Sequence, residues 1–263
     1  MHCWAKRIFV AAASLPLTGC LWGPGKFASD LTLRKDGGFT LDYRGEMVLQ
    51  MPPDADKAEP WTASMAHCAD EQGKDRPCTG AEVAEQKANH DRQAAQKRQQ
   101  AEEMAKAFGL PGLDDASNRA FAAKLMKYAG WRSVSYRGKG VFDVDYHFEG
   151  RATQDFLFPA LPDNDLLIPF VAIRRRADGA VLVTAPAFTG GAGPIAARAG
   201  AAAAREMKDG PVSRAQGRFT VVTDGEILTN NSEDGAAPHA LGRAVHWDVG
   251  PGSTKIPETL IRL

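Results

Sequence analysis

The chain is poor in the features that announce a chemistry. It carries 32 basic and 32 acidic residues, so it lacks the positive excess that nucleic-acid binding requires, and no nucleic-acid partner is expected. No apolar run approaches the roughly 20 residues that span a bilayer, which argues against a transmembrane helix. Cysteine occurs four times and histidine six times, without the close ligand pairs of a structural zinc site. There is no G-x-S-x-G elbow, no P-loop and no H-E-x-x-H helix. No catalytic residue and no cofactor is therefore expected, and a hydrolase is a distant reading. Gly191-Ala192-Gly193-Pro194-Ile195-Ala196 fits G-x-G-x-x-A, but Pro186 to Gly190 separate it from the preceding strand. A dinucleotide fold needs a strand running straight into the first glycine, so a linker is expected there.

What is present begins at the N-terminus. Lys6-Arg7 form a short positive patch, residues 8–17 form an apolar stretch, and Leu17-Thr18-Gly19-Cys20 closes it. The stretch is too short to span a bilayer and has the layout of an export signal. The closing tetrad resembles the lipobox of bacterial lipoproteins. That resemblance implies cleavage before Cys20, a diacylglyceryl group such as a palmitate-bearing one on its thiol, and attachment to a membrane of the cell envelope. Leu21 follows the cysteine where an Asp would favour the inner membrane, which implies the periplasmic face of the outer membrane. Two or three acyl chains anchor stably where one does not.

Removing residues 1–19 takes away Lys6 and Arg7 and no acidic residue, leaving 30 basic against 32 acidic. Cys3 leaves with the signal and Cys20 is taken by lipid, so Cys68 and Cys78 remain. In an oxidising compartment these two are most simply a disulfide, worth roughly 2–3 kcal/mol for so short a loop. The alternative is a metal site with His67, Cys68, Cys78 and His90 as ligands.

Residues 20–30, with Gly23-Pro24-Gly25, read as a lipidated tether reaching at most about 30 Å. Residues 31–263 read as one α+β domain. Leu31/Leu33 and Phe39/Leu41/Tyr43 alternate with polar residues around Asp36-Gly37-Gly38, the pattern of a half-buried β-hairpin. A helical insertion follows at about 63–129. It opens with a short helix near 63–72, and Thr79-Gly80-Ala81-Glu82 then matches a capping box. That box starts a long helix running to about Phe108, rich in Ala, Gln, Lys, Arg and Glu and hence solvated. Asp91 and Arg98 fall in its only heptad seam, which argues against a coiled coil. A second helix spans about 114–129, with Phe121, Leu125 and Tyr128 on one apolar face.

Three further hairpins are expected. One pairs Val134 and Tyr136 with Phe142, Val144, Tyr146 and Phe148; the others turn at Asp178-Gly179 and Asp224-Gly225. Residues 245–249 and 256–263 read as closing strands, and a helix is expected over about 195–207. The economical architecture is an antiparallel sheet of several hairpins with the helical insertion packed on one face.

One strand carries the most tempting constellation. Asp143, Asp145, His147 and Glu149 share its polar face and could hold a hard cation or an acid–base pair. Residues two apart on a strand stand about 6.6 Å apart, too far for one strand to build a metal site, so a solvated face is expected. His246 beside Trp247 reads as structural, and Arg174-Arg175-Arg176 as a solvated hairpin end.

The order of first hairpin, helical insertion and later hairpins resembles the LppM-type envelope lipoproteins. The resemblance implies a sheet-based domain that holds lipid, and the expected function is a non-catalytic binding module whose apolar cavity, under the Phe121/Leu125/Tyr128 helix, takes a lipid or another envelope ligand. The competing expectation is an assembly accessory that docks another envelope protein through its long helix.

Overall fold

A computed structural model of the protein describes residues 21–50, 60–107, 111–112, 114–161, 168–190 and 214–263. Cys20 and the export segment, the motif at 191–196 and the expected helix near 195–207 lie outside the described residues. The described residues are α+β, mostly β, with two α-helices and sheets whose strands pair antiparallel except at one parallel pairing.

The first hairpin forms where the alternation places it, as Leu21–Leu33 (β1) and Gly38–Gln50 (β2). Its turn depends on Gly37 at φ +83°, a backbone region that glycine enters without strain, and on Asp36 Oδ1 accepting from the Gly38 amide at 2.8 Å. The expected tether at 20–30 is corrected. From Leu21 onward those residues are the first ten of β1, paired with β2 from Leu21↔Gln50. Trp22 and Phe27, 2% and 7% exposed, are what hold them in the sheet. A bulge between Pro24 and Phe27 lets the strand pass its proline.

The helical insertion begins with a 3-10 turn at Ala63–Met65 and a small ribbon of Cys68–Ala69 (β3) and Asp75–Arg76 (β4), where a short helix was expected. The long helix is Gly80–Ala107 (α1), about 42 Å at 1.5 Å per residue. The second is Asp115–Leu125 (α2), capped by Asp114 Oδ1 accepting from the Ser117 amide at 2.8 Å. Phe121 and Leu125 are buried as the spacing predicts. Tyr128 is 45% exposed, because the helix ends at Leu125 and the chain turns away before reaching it.

The remaining strands are Trp131–Gly138 (β5), Val141–Arg151 (β6), Phe156–Phe158 (β7), Val171–Arg175 (β8), Val181–Thr184 (β9), Gln216–Thr223 (β10), Glu226–Asn230 (β11), Ala237–His239 (β12), Gly242–Val249 (β13) and Glu258–Arg262 (β14). The single expected sheet is two. One runs β12-β13-β10-β1-β2-β6-β5, the other β11-β14-β9-β8-β7. The Asp224-Gly225 hairpin is also corrected. β10 lies in the first sheet, antiparallel to β13 and parallel to β1, while β11 crosses to the second and pairs with β14. Both edges of β10 are already taken, so the Asp-Gly pair makes a corner. Asp224 Oδ1 ties that corner to the first hairpin by accepting from the Lys35 amide at 2.7 Å. Gly217 fits its place because any Cβ there would strike the Phe27 carbonyl on β1.

Between the sheets lies an aromatic core. Tyr43 packs against Phe158 and Phe170 with ring centroids 5.1 and 5.6 Å apart, and Phe188 lies 4.1 Å from Phe27 and 5.4 Å from Phe219. Burial raises the Tyr43 hydroxyl well above its ordinary pKa, with the nearby Glu46 charge adding to the shift. α2 covers the β5 end of the first sheet, stacking Phe121 on Trp22 at 5.4 Å and packing it edge-on against Phe142. The space under α2, expected to hold an apolar cavity, is therefore occupied by Trp22, Phe121, Leu125 and Phe142, each 7% exposed or less.

Candidate functional site

The row Asp143, Asp145, His147 and Glu149 lies on the outer face of β6, where β2 supplies partners for His147 and Asp145, β5 one for Asp143, and Glu149 meets, among the described residues, only His147 of its own strand. The register sets Asp42 opposite His147 and Arg44 opposite Asp145. His147 Nδ1 lies 2.8 Å from Asp42 Oδ1 and its Nε2 3.4 Å from Glu149; Arg44 approaches Asp145 at 3.6 Å, and Arg137 pairs with Asp143. The structure spreads these four candidates along a part-exposed strand face, each with a cross-strand or same-strand partner and none converging on a common point. No group of three or more metal-binding side chains converges among the described residues. The Arg174-Arg175-Arg176 turn is likewise engaged, with Asp155, the Ala152 carbonyl and Asp178 respectively.

Cys68 and Cys78 are joined in a disulfide, which overturns the metal alternative by removing both thiolates. His67 faces Asp75 at 3.5 Å, and His90 instead packs against Trp61 at 5.4 Å. The bridge ties the β3–β4 ribbon to the start of α1. Beside it the capping box is formed: Thr79 Oγ1 accepts from the Glu82 amide at 3.3 Å, and Glu82 Oε2 accepts from the Thr79 amide at 2.8 Å. Arg76 closes on the same carboxylate through both of its terminal nitrogens.

Two outcomes follow for this corner. Reducing the bridge is expected to cost about 2–3 kcal/mol of local stability. It should loosen the ribbon and the first turn of α1 in hydrogen exchange while leaving the melting of the sheets unchanged. The Arg76 hydrogen bond, then the Thr79 amide and hydroxyl, lower the Glu82 pKa from 4.5 to about 2. A carboxylate held down in this way supports the fold fully above pH 4.5 and loses that support as pH falls toward 2. A carboxyl-carbon NMR titration is expected to put the Glu82 midpoint near 2.

A cleft at the β13 end of the molecule went unpredicted. Its volume is about 310 Å3, and it lies between the 231–234 loop and the 252–255 loop. Phe188, Trp247, Val249 and Pro257 contribute its apolar lining; Glu233, Asp234, His246, Asp248, Thr254 and Lys255 contribute its polar lining. His246 Nε2 lies 3.1 Å from Asp234. Asp248 receives two bonds from Arg218, at 2.7 and 3.0 Å, which hold its carboxyl below the ordinary range. His246 beside Trp247 was the one local signal of this cleft. The rest comes from segments far apart in sequence and carries no spacing that could be read.

No protein-family model and no curated protein matches the chain. Among solved structures, the folded domain of LppM from Mycobacterium tuberculosis is similar over 92% of this chain and 91% of that one. The identity is 12% and the TM-score 0.28, a likeness too slight to carry an argument.

Proposed function

We propose that the protein is a lipid-anchored component of the bacterial cell envelope that binds a ligand without transforming it. The observation that carries the anchoring is Leu17-Thr18-Gly19-Cys20 at the end of a charged and then apolar segment. The Cys68–Cys78 bridge supports export, because such bonds persist in oxidising compartments. The membrane is met through the lipid on Cys20, on the periplasmic face of the outer membrane, since no Asp follows the cysteine. No described helix is long and apolar enough to cross a membrane. Ligand binding is placed at the Trp247 cleft, because the space under α2 is filled and the β6 carboxylates are paired with their neighbours.

The test is metabolic labelling with a palmitate analogue in a bacterial host, with fractionation of its membranes. The protein is expected to be labelled and to sediment with the outer membrane, and Cys20→Ala to lose the label. An unlabelled, soluble wild-type protein overturns the reading.

A second reading, an assembly accessory docking another envelope protein, draws on α1. None of the α1 residues whose side chains are described is buried, and most of those from Gly80 to Glu103 are exposed.

A further inference from the structure

We propose that the cleft beside Trp247 is a saccharide site, a step that rests on reading the protein as an envelope binding module. Its volume of about 310 Å3 is at the small end of ligand sites, enough for a short oligosaccharide and not for a folded partner.

The walls are fixed before any ligand arrives. Asn231 Oδ1 accepts from the Trp247 indole at 2.9 Å and from the Glu258 amide at 3.0 Å, while its Nδ2 donates to the Ile256 carbonyl at 2.7 Å. Ser232 Oγ donates to the His246 carbonyl at 2.8 Å. Across the cleft, the Ser253 carbonyl accepts from the Gly190 amide at 2.7 Å and Ser253 Oγ from the Gly250 amide at 2.9 Å. One wall is thus tied to the tryptophan floor and the other to the segment that carries Phe188. Little ordering is left for binding to impose.

The groups left over define the ligand. Glu233, Thr254 and Lys255 are exposed and have no hydrogen-bond or ion-pair partner among the described residues, although each lines the cleft. They offer an anionic acceptor, a hydroxyl and a cationic donor around a partly apolar floor. A fatty chain would strip water from these groups and return no hydrogen bond, an unfavourable exchange. A strongly anionic ligand meets Glu233 and Asp234, and a strongly cationic one meets Lys255. A neutral ring with many hydroxyls suits all of them. Its hydroxyls donate to Glu233 and accept from Lys255 in charge-assisted bonds, and its C–H face lies on the apolar floor. The saccharide could reach the cleft as free polysaccharide or as the headgroup of a glycolipid, and the two share this chemistry.

The experiment uses the mature chain on an array of neutral and N-acetylated oligosaccharides, with any hit repeated as a glycolipid in phosphatidylcholine vesicles. Octalysine peptide serves as a counter-probe. At least one neutral saccharide is expected to bind, and Glu233→Ala and Lys255→Ala are each expected to weaken it by about tenfold or more. Glu149→Gln on the distant face is expected to leave it unchanged. Both cleft residues are exposed and unpartnered, so an unchanged thermal melt will show that the fold is intact. Binding to glycolipid vesicles beyond that to plain phosphatidylcholine vesicles, and tighter than to the free sugar, identifies a glycolipid source; no gain over the plain vesicles identifies a polysaccharide. A saccharide bound equally well by both variants overturns the site. Octalysine bound through these residues, with no saccharide bound, overturns the ligand class and leaves the binding-module reading standing. Binding of neither overturns both.

Discussion

A variant in which Cys20 is joined directly to Leu31 is expected not to fold. A tether of ten residues could be lost without consequence, but these are the first ten residues of a strand hydrogen-bonded on both sides. Lys26 to Asp30 pair with β10 in parallel, and Leu21 onward pairs with β2. The deletion cuts both ladders and removes Trp22 and Phe27 from the core. Truncating one buried aromatic costs about 3–5 kcal/mol. Two such losses alone rival the roughly 5–15 kcal/mol by which domains of this kind are stable. The amide spectrum of the purified variant is expected to collapse into the narrow range of an unfolded chain. A dispersed, native-like spectrum would return residues 21–30 to the status of a linker.

Phe188→Ala is expected to destabilise the protein by about 3–5 kcal/mol. Phe188 belongs to no strand; it follows β9 in a turn where its amide donates to the Ala185 carbonyl at 3.1 Å. Yet it is fully buried, with its ring centroid 4.1 Å from Phe27 and 5.4 Å from Phe219 in the first sheet and 6.2 Å from Phe170 beside the second. Removing it opens a void where the sheets meet, and so much surrounding aromatic structure cannot collapse into the gap. In urea the midpoint should fall while the slope stays constant, since the surface exposed on unfolding hardly changes. Phe188→Leu, which keeps much of the volume, should cost well under half as much. A loss below 1 kcal/mol for the alanine variant would mean that the sheets do not rely on this ring.

What could be read from the sequence was local. The alternation in Phe39/Leu41/Tyr43 and in Phe142/Val144/Tyr146 names a buried face, because a strand repeats every two residues wherever its partner comes from. The Thr79–Glu82 box is legible for the same reason, since its whole geometry fits in one helical turn. Features set by distant pairing were not legible. Gly23-Pro24-Gly25 has the composition of a loop, yet the strand runs through it because β2 is there to receive it. Asp224-Gly225 has the chemistry of a hairpin, but β10 finds a partner in β1, 190 residues earlier in the chain. The polar row on β6 was visible as a face; its cross-strand partners Asp42 and Arg44 were not, because register depends on the fold. The cleft brings together Phe188, the 231–234 loop, β13 and the 252–255 loop, and no window of sequence contains more than a fragment of it.

The start of β1 at Leu21 has a mechanical consequence. With Cys20 acylated as proposed, the anchor is bonded directly to the first residue of β1, so the strand starts where the lipid ends. Its foot brings Gln50 and the Gly140 turn down with it, since Leu21 pairs with Gln50 and the Leu49 amide donates to the Gly140 carbonyl at 2.8 Å. Trp247 lies level with Ser29, through Phe219 on the strand between them. Eight residues above the foot, at 3.3 Å each, set the cleft about 25 Å from the anchoring point. On the proposed reading, the length of β1 between Leu21 and Ser29 would cap how far the cleft can stand from the anchor.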